Sequence, residues 1–184
     1  MPATTVRPLA PDDAPAYRAL RLAGIAELPA AFCTTHALES SLPLARIAER
    51  LRVTQNQIIF GAFENEALIA IAGLRREPIA VVHDNASLWG VYVAPQARGR
   101  GVARQLLRAA IAHACAIPEL ARLRLAVAHD NHAAQSLYLG CGFALADGVQ
   151  GAMLQMQLLL PRPARAGTES NVFMKINTLQ IPAK

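Results

Sequence analysis

Gly99 and Gly101 stand two residues apart in Gln96-Ala97-Arg98-Gly99-Arg100-Gly101-Val102-Ala103-Arg104. Glycine takes a positive φ without steric cost and lets backbone approach a ligand, and successive N–H groups in such a turn form an anion-binding concavity. Arg98, Arg100 and Arg104 add positive charge around it. Before the loop, Leu88 to Val93 is a β-branched and aromatic run that reads as a buried strand. After it, Val102, Leu106, Leu107, Ala110, Ile111 and Ala114 recur at helical spacing, one apolar stripe ending near Cys115. A strand feeding a glycine loop that opens a helix can grip a phosphate, because the first helical N–H groups lack partners and the dipole makes that end positive. A dinucleotide fingerprint needs a third glycine where Arg104 stands, and no P-loop lysine follows.

A second group of residues lies about 30 positions on. Asn131 suits a helix N-cap, and Tyr138 sits in the helix it would open. On general grounds such a tyrosine packs in a core. His129-Asp130-Asn131-His132 places two imidazoles near each other without further ligands, so no metal is expected. The three cysteines, Cys33, Cys115 and Cys141, form no C-x-x-C pair, which argues against both a disulfide framework and a zinc site.

These two groups together resemble the GNAT superfamily of N-acetyltransferases. Gln96 to Gly101, preceded by VYVAP, is similar to its acetyl-CoA motif [Q/R]-x-x-G-x-[G/A]. Asn131, Ala134, Leu137, Tyr138, Gly142 and Phe143 fill its second motif, N-x-x-A-x-x-L-Y-x-x-x-G-F, in register. The resemblance covers roughly Thr4 to Leu160. It implies an α/β (α+β) fold: a mixed, mostly antiparallel sheet of about seven strands flanked by helices and splayed at the acetyl-CoA strand. It implies that Val91, Tyr92 and Val93 offer backbone to the cofactor beyond a bulge, for which Gly90 is suited. Gln96, Arg98, Gly99, Arg100, Gly101, Val102, Ala103 and Arg104 would hold the pyrophosphate, and Asn131 would contact the coenzyme. Tyr138 would be the general acid to the leaving thiolate, a task for which an ordinary phenol pKa of about 10 is suited.

Acetyl transfer to an amine needs the amine neutral. A lysine-type amine is deprotonated about once in 2,500 at pH 7, a cost of about 4.6 kcal/mol, so a proton acceptor helps. Many relatives carry a glutamate on the strand before the glycine loop or on the next strand. Leu88, Trp89, Tyr92 and Ala126 occupy those places here. Candidate bases elsewhere are Glu27, Glu39, His36, His83 and Asp84, and the candidate acceptor contacts are Glu27, Phe32, His36 and Glu39. The expected activity is acetyl transfer from acetyl-CoA to a primary amine, of a small molecule or a peptide, in a ternary complex. The rival reading is a non-catalytic acyl-CoA-binding module that kept the cofactor grip without the base.

The elements that must hold these residues follow from patterning. Thr4 to Leu9 reads as a strand, and Pro11-Asp12-Asp13 opens a helix that ends by Pro29. Phe32, Cys33 and His36 fall in a loop before a helix carrying Leu44, Ile47, Ala48 and Leu51. Gln57 to Phe63 and Ala67 to Leu74 form a hairpin around Glu64-Asn65-Glu66. With the strand before the glycine loop, that makes three antiparallel strands in succession. Leu123, Leu125 and Val127 alternate with Arg122, Arg124 and Ala126 in a strand that should run parallel to Leu88–Val93. Phe143 to Leu145 and Met153 to Leu160 close the sheet around a turn at Asp147-Gly148. Residues 1–160 then form one domain, and 161–184 a linker and tail that could cross to a partner in a homodimer.

Composition bounds the rest. The chain has 184 residues, 53% hydrophobic and 17% charged, enough for one packed core and too apolar for disorder. No apolar run approaches the roughly 20 residues of a membrane span, and the N-terminus lacks signal-peptide layout, so a cytoplasmic protein is expected. A net charge of +5 comes from scattered arginines, which points away from nucleic acid.

Overall fold

The computed structural model describes residues 3–76, 84–150 and 152–161. Its strands are β1 (Thr4–Pro8), β2 (Gln57–Glu64), β3 (Ala67–Arg76), β4 (Asn85–Val93), β5 (Arg122–Ala128), β6 (Ala144–Gln150) and β7 (Met153–Leu159). Its helices are α1 (Ala14–Glu27), α2 (His36–Ser41), α3 (Leu44–Arg50), α4 (Val102–Cys115) and α5 (His132–Leu139). The seven strands form one sheet in the order β1-β2-β3-β4-β5-β7-β6, antiparallel throughout except where β4 meets β5. This is the mixed, mostly antiparallel α/β fold that the motifs imply.

Two apolar layers hold the helices to the sheet. The α4 stripe of Val102, Leu106, Leu107, Ala110 and Ala114 is buried against Phe60, Ala72, Leu74, Leu88 and Leu123. At about 2 kcal/mol for each large aliphatic side chain taken from water, this stripe fixes the helix that the glycine loop opens. On the other face, Tyr17 and Ile25 of α1 and Ile47 of α3 pack with Ile59, Ile71 and Tyr92. Among the described residues, no helix is long and apolar enough to cross a membrane.

Two expectations need correction. His36 does not lie in a loop but begins the short helix α2, capped by the Thr35 hydroxyl, which accepts from the Leu38 N–H at 3.2 Å. Asp147-Gly148 is not the closing turn. β6 continues to Gln150, and the extra residues are absorbed by a register shift between Leu145 and Val149. The candidate base His83 and residues 162–184 lie outside the described residues.

Candidate active site

The site begins with a break in strand pairing. β4 pairs with β5 only through Asn85–Arg122, Ala86–Leu123 and Ser87–Arg124. Beyond Ser87 the two strands part, and the edge of β4 that faces β5 carries no ladder. On its other edge, β4 gains one residue against β3. Tyr92 pairs with Ile71 and Trp89 with Gly73, so three steps on β4 match two on β3. Gly90, with φ +59, sits in this bulge. The bulge also resets the side-chain alternation: Trp89 and Tyr92, three apart, both join the α1 layer, while Leu88, Val91 and Val93 join the α4 layer.

Between the parted strands opens a cleft of about 920 Å³. Gly90 to Val93 form one wall, Leu125 to Ala128 the other, and the glycine loop and α5 close its ends. Gly99 and Gly101 have φ of +71 and +78, and nothing lies within 4 Å of where a Cβ would stand on either. That conformation explains glycine at both positions and leaves the loop backbone open to the cleft. The first backbone bond of α4 runs from the Gln105 N–H to the Gly101 carbonyl at 3.1 Å, so the N–H groups of Val102, Ala103 and Arg104 have no helical acceptor. The loop, its free donors and the Arg104 side chain, which also lines the cleft, suit a pyrophosphate.

Not every residue of the loop is presented to the cleft. Arg98 makes two hydrogen bonds to Glu27, at 2.7 and 2.8 Å, and its Nε donates to the Val93 carbonyl at 3.0 Å. Arg98 is therefore not a free cation for the cofactor, although it does line the cleft. Arg100 turns away to pair with Glu64, one of its bonds being 3.1 Å, and neither Arg100 nor Gln96 lines the cleft. Asn131 lines the cleft and also caps α5, its Oδ1 accepting from the Ala134 N–H at 3.1 Å. An amide committed to the cap has its NH2 left for other partners.

Tyr138 stands in the cleft wall beside Asn131, 7% exposed, with its ring edge-on to Phe143. Among the described residues its hydroxyl has no hydrogen-bond partner. Burial, aided by the nearby Cys141 thiol, pushes its pKa up to about 12, so the phenol is not the unperturbed one expected from sequence. Cys141 does not line the cleft, and burial raises its pKa more than Arg104 and Arg108 lower it.

On the acceptor side the sequence candidates scatter. Glu27 lines the cleft next to Leu28, Pro29 and Ala31. Its carboxylate accepts from Arg98 and from the Tyr92 hydroxyl at 2.8 Å, which together hold its pKa down to about 2. A carboxylate held that low is a poor base at neutral pH. Phe32 is buried edge-on against Tyr92, and His36 is exposed on α2; neither lines the cleft. Glu39 is 2% exposed and lies between Arg21 and Arg50 in a buried charge cluster, away from the cleft surface. Asp84 serves the far end of β4, its carbonyl accepting from Ala121 and Arg122. Among the described residues, the carboxylates lining the cleft are Glu27 and Asp130. Asp130, which the sequence offers only within His129-Asp130-Asn131-His132, is not among the candidate bases because it reads as part of a strand-end turn.

The comparisons follow the same lines. A family model described as the acetyltransferase (GNAT) family matches residues 23–143. The acetyltransferase of the GNAT family from Streptococcus pneumoniae superposes with a TM-score of 0.72 at 23% identity, covering 86% of this chain and 100% of its own. yncA from Salmonella typhimurium, solved with its cofactor acetyl-CoA, gives 0.73 at 19% identity, over 90% and 99% of the two chains. The ribosomal-protein-alanine N-acetyltransferase from Brucella melitensis gives 0.71 at 23% identity, over 85% and 99%. No curated protein matches the chain. At these identities the superpositions establish the shared fold.

Proposed function

The chain belongs to the GNAT acetyltransferase family, and from that premise we propose that it transfers an acetyl group from acetyl-CoA to a primary amine, directly, in a ternary complex. The observation that carries the reading is the parted β4–β5 pair, whose cleft runs from an open-backed glycine loop to a buried tyrosine.

Each step can be assigned to residues of this chain. The free N–H groups at the start of α4 and the Arg104 side chain receive the pyrophosphate. The unpaired edge of β4 from Val91 onward accepts the amide-rich arm like an added strand, and its N–H groups polarise the thioester carbonyl. The amine nitrogen attacks that carbonyl, the carbon–sulfur bond breaks, and the Tyr138 hydroxyl gives its proton to the leaving sulfur. At a pKa of about 12 the phenol stays protonated across the physiological range and acts as a hydrogen-bond donor that hands over its proton late. The amine proton leaves through water to Asp130 or to solvent, since Glu27 is already engaged by Arg98 and Tyr92.

Coenzyme A release measured over amines, peptides and aminoglycosides tests the proposal. Thiol release that depends on an acceptor, with no acetylated protein detected by mass spectrometry, is the expected result. The absence of a carboxylate at Leu88, Trp89, Tyr92 and Ala126 favours the second reading, an acyl-CoA-binding module. Tight acetyl-CoA binding with no turnover on any acceptor would establish that one instead.

A further inference from the structure

We propose that the acceptor is a polypeptide with acidic residues close to the acetylated amine, and that Arg75, Arg122 and Arg124 form the surface on which those residues dock. This rests on the transferase reading above and narrows it to an acceptor class. The three arginines share one face of the sheet. Leu123, Leu125 and Val127 of β5 pack on the α4 side, so Arg122 and Arg124 point to the opposite side. Strand register puts Arg75 of β3 opposite Ser87 of β4, and Ser87 opposite Arg124 of β5. Residues opposite each other across a ladder point the same way, so Arg75 and Arg124 flank β4 about 10 Å apart, and Arg122 lies about 7 Å from Arg124.

The row is open and unneutralised. α1 and α3 cover this face of the sheet at Ile59, Ile71 and Tyr92, and leave Arg75 and Arg124 exposed and Arg122 half-buried. Leu159, in register with Arg122, is 69% exposed. Among the described residues, none of the three guanidiniums has a carboxylate at ion-pairing distance or a hydrogen-bond partner. Arg76, next along β3 and facing the other way, has Glu119 at 3.9 Å. Like charges gathered on neighbouring strands repel one another, and an acidic partner removes that repulsion.

The row also stands at the acceptor end of the cleft. Ser87–Arg124 is the last pair before β4 and β5 part. With the pyrophosphate at the glycine loop beyond Val93, the proposed thioester edge at Val91 lies toward this fork. Two residues past Ser87 and Arg124, on the same face, Trp89 and Ala126 line the cleft. The arginines themselves do not line it, so they meet what extends from the acceptor amine and not the amine. Glu27, the carboxylate on the cleft wall, is matched by Arg98 and does not offset the row. Four residues of strand separate Val91 from Ser87, about 13 Å, which an extended peptide crosses in about four residues. A single amino acid is too short to reach from the amine to the row. A nucleic acid strand needs a longer cationic stripe and stacking aromatics, whereas the register neighbours here are Gln157 and Leu159.

The test uses the full chain, acetyl-CoA and short peptides with one free amine. The amine is the N-terminus in one series and a lysine in an N-terminally blocked series, with Glu, Gln or Arg at the four positions nearest to it. Coenzyme A release should give, in at least one series, a kcat/KM about tenfold higher for the Glu peptide than for the Gln peptide, the yield of several exposed ion pairs acting together. That difference should shrink in about 0.5 M salt. Arg75→Gln combined with Arg124→Gln should erase the preference. Arg75→Glu combined with Arg124→Glu should turn it toward the Arg peptide, a reversal that loss of structure would not give; the urea midpoint checks that each variant is folded. Equal kcat/KM for Glu and Gln peptides in both series, or turnover of small amines and of no peptide, would overturn the proposal and leave the transferase standing. If no amine is acetylated, fluorescence anisotropy of the labelled peptides with coenzyme A bound decides. Glu peptide bound about tenfold tighter than Gln peptide, and not so by the Arg75→Gln, Arg124→Gln protein, supports the docking surface; equal binding rejects it. Single-stranded RNA bound more tightly than the Glu peptide at the same salt would assign the row to nucleic acid and reject the proposal as well.

Discussion

Tyr138 and Glu27 show how burial and partners divide two titratable residues on one cleft. Tyr138 is kept neutral by its apolar surroundings. Its pKa is raised from the ordinary 10 to about 12, so its neutral form stabilises the fold fully below pH 10, and that contribution fades as pH rises toward 12. Replacing it by phenylalanine should lower kcat at least tenfold and change acetyl-CoA affinity less than twofold; unchanged kcat would remove Tyr138 from the chemistry. Glu27 is moved the other way, to about 2 by the Arg98 and Tyr92 hydrogen bonds, so its contribution is present above pH 4.5 and lost as pH falls toward 2. A Glu27→Gln protein should therefore keep any acid limb that the wild-type kcat/KM shows between pH 5 and 8. Loss of that limb would make Glu27 the base after all. The same variant should raise the KM for acetyl-CoA, because it loosens Arg98 from the Val93 carbonyl.

At the scale of elements, the bulge and the glycine loop shape the cleft. A residue with a Cβ at Gly99 or Gly101 must hold a left-handed φ, which costs about 1–2 kcal/mol. Space is open at both, so Gly101→Ala should fold, unfold at lower urea by an amount matching that cost, and bind acetyl-CoA more weakly as the loop relaxes. Unchanged affinity would mean that the loop backbone does not hold the pyrophosphate. Gly90 differs, because a side chain there meets both the positive φ and Arg21 Nη1. Gly90→Val should cost more than Gly101→Ala in the same urea titration. The sequence suggested Gly90 as a place for a bulge, since glycine interrupts an otherwise β-branched and aromatic run. The consequence, Trp89 and Tyr92 on one face, was not visible, because alternation read from sequence assumes an unbroken ladder.

For the whole molecule, the three residue pairs that join β4 to β5 let one sheet serve as two half-sheets with a cleft between them. The α1–α3 layer is anchored partly by the Arg21–Glu39–Arg50 cluster. Glu39→Ala leaves two arginines without their shared carboxylate, and should destabilise the protein by about 3–5 kcal/mol in urea unfolding. A change under 1 kcal/mol would show the cluster to be solvated in solution. By itself the sequence located the residues proposed to hold the cofactor: Gly99, Gly101, Asn131 and Tyr138 lie within short motifs, where spacing along the chain dictates position on a loop or a helix turn. It also gave the succession of strands along the chain, through hydrophobic period and turn residues, though not that β7 lies beside β5. Only the tertiary structure decided which of the other candidates face the cleft. Glu39 and Phe32 read as cleft residues and are buried, Arg98 and Arg100 read as free cations and are paired, and Arg21 read as one step of a helical stripe. Those outcomes depend on contacts between residues far apart in sequence, such as Glu27 with Arg98 and Arg21 with Trp89, and local pattern carries no information about which distant partner a charge will meet.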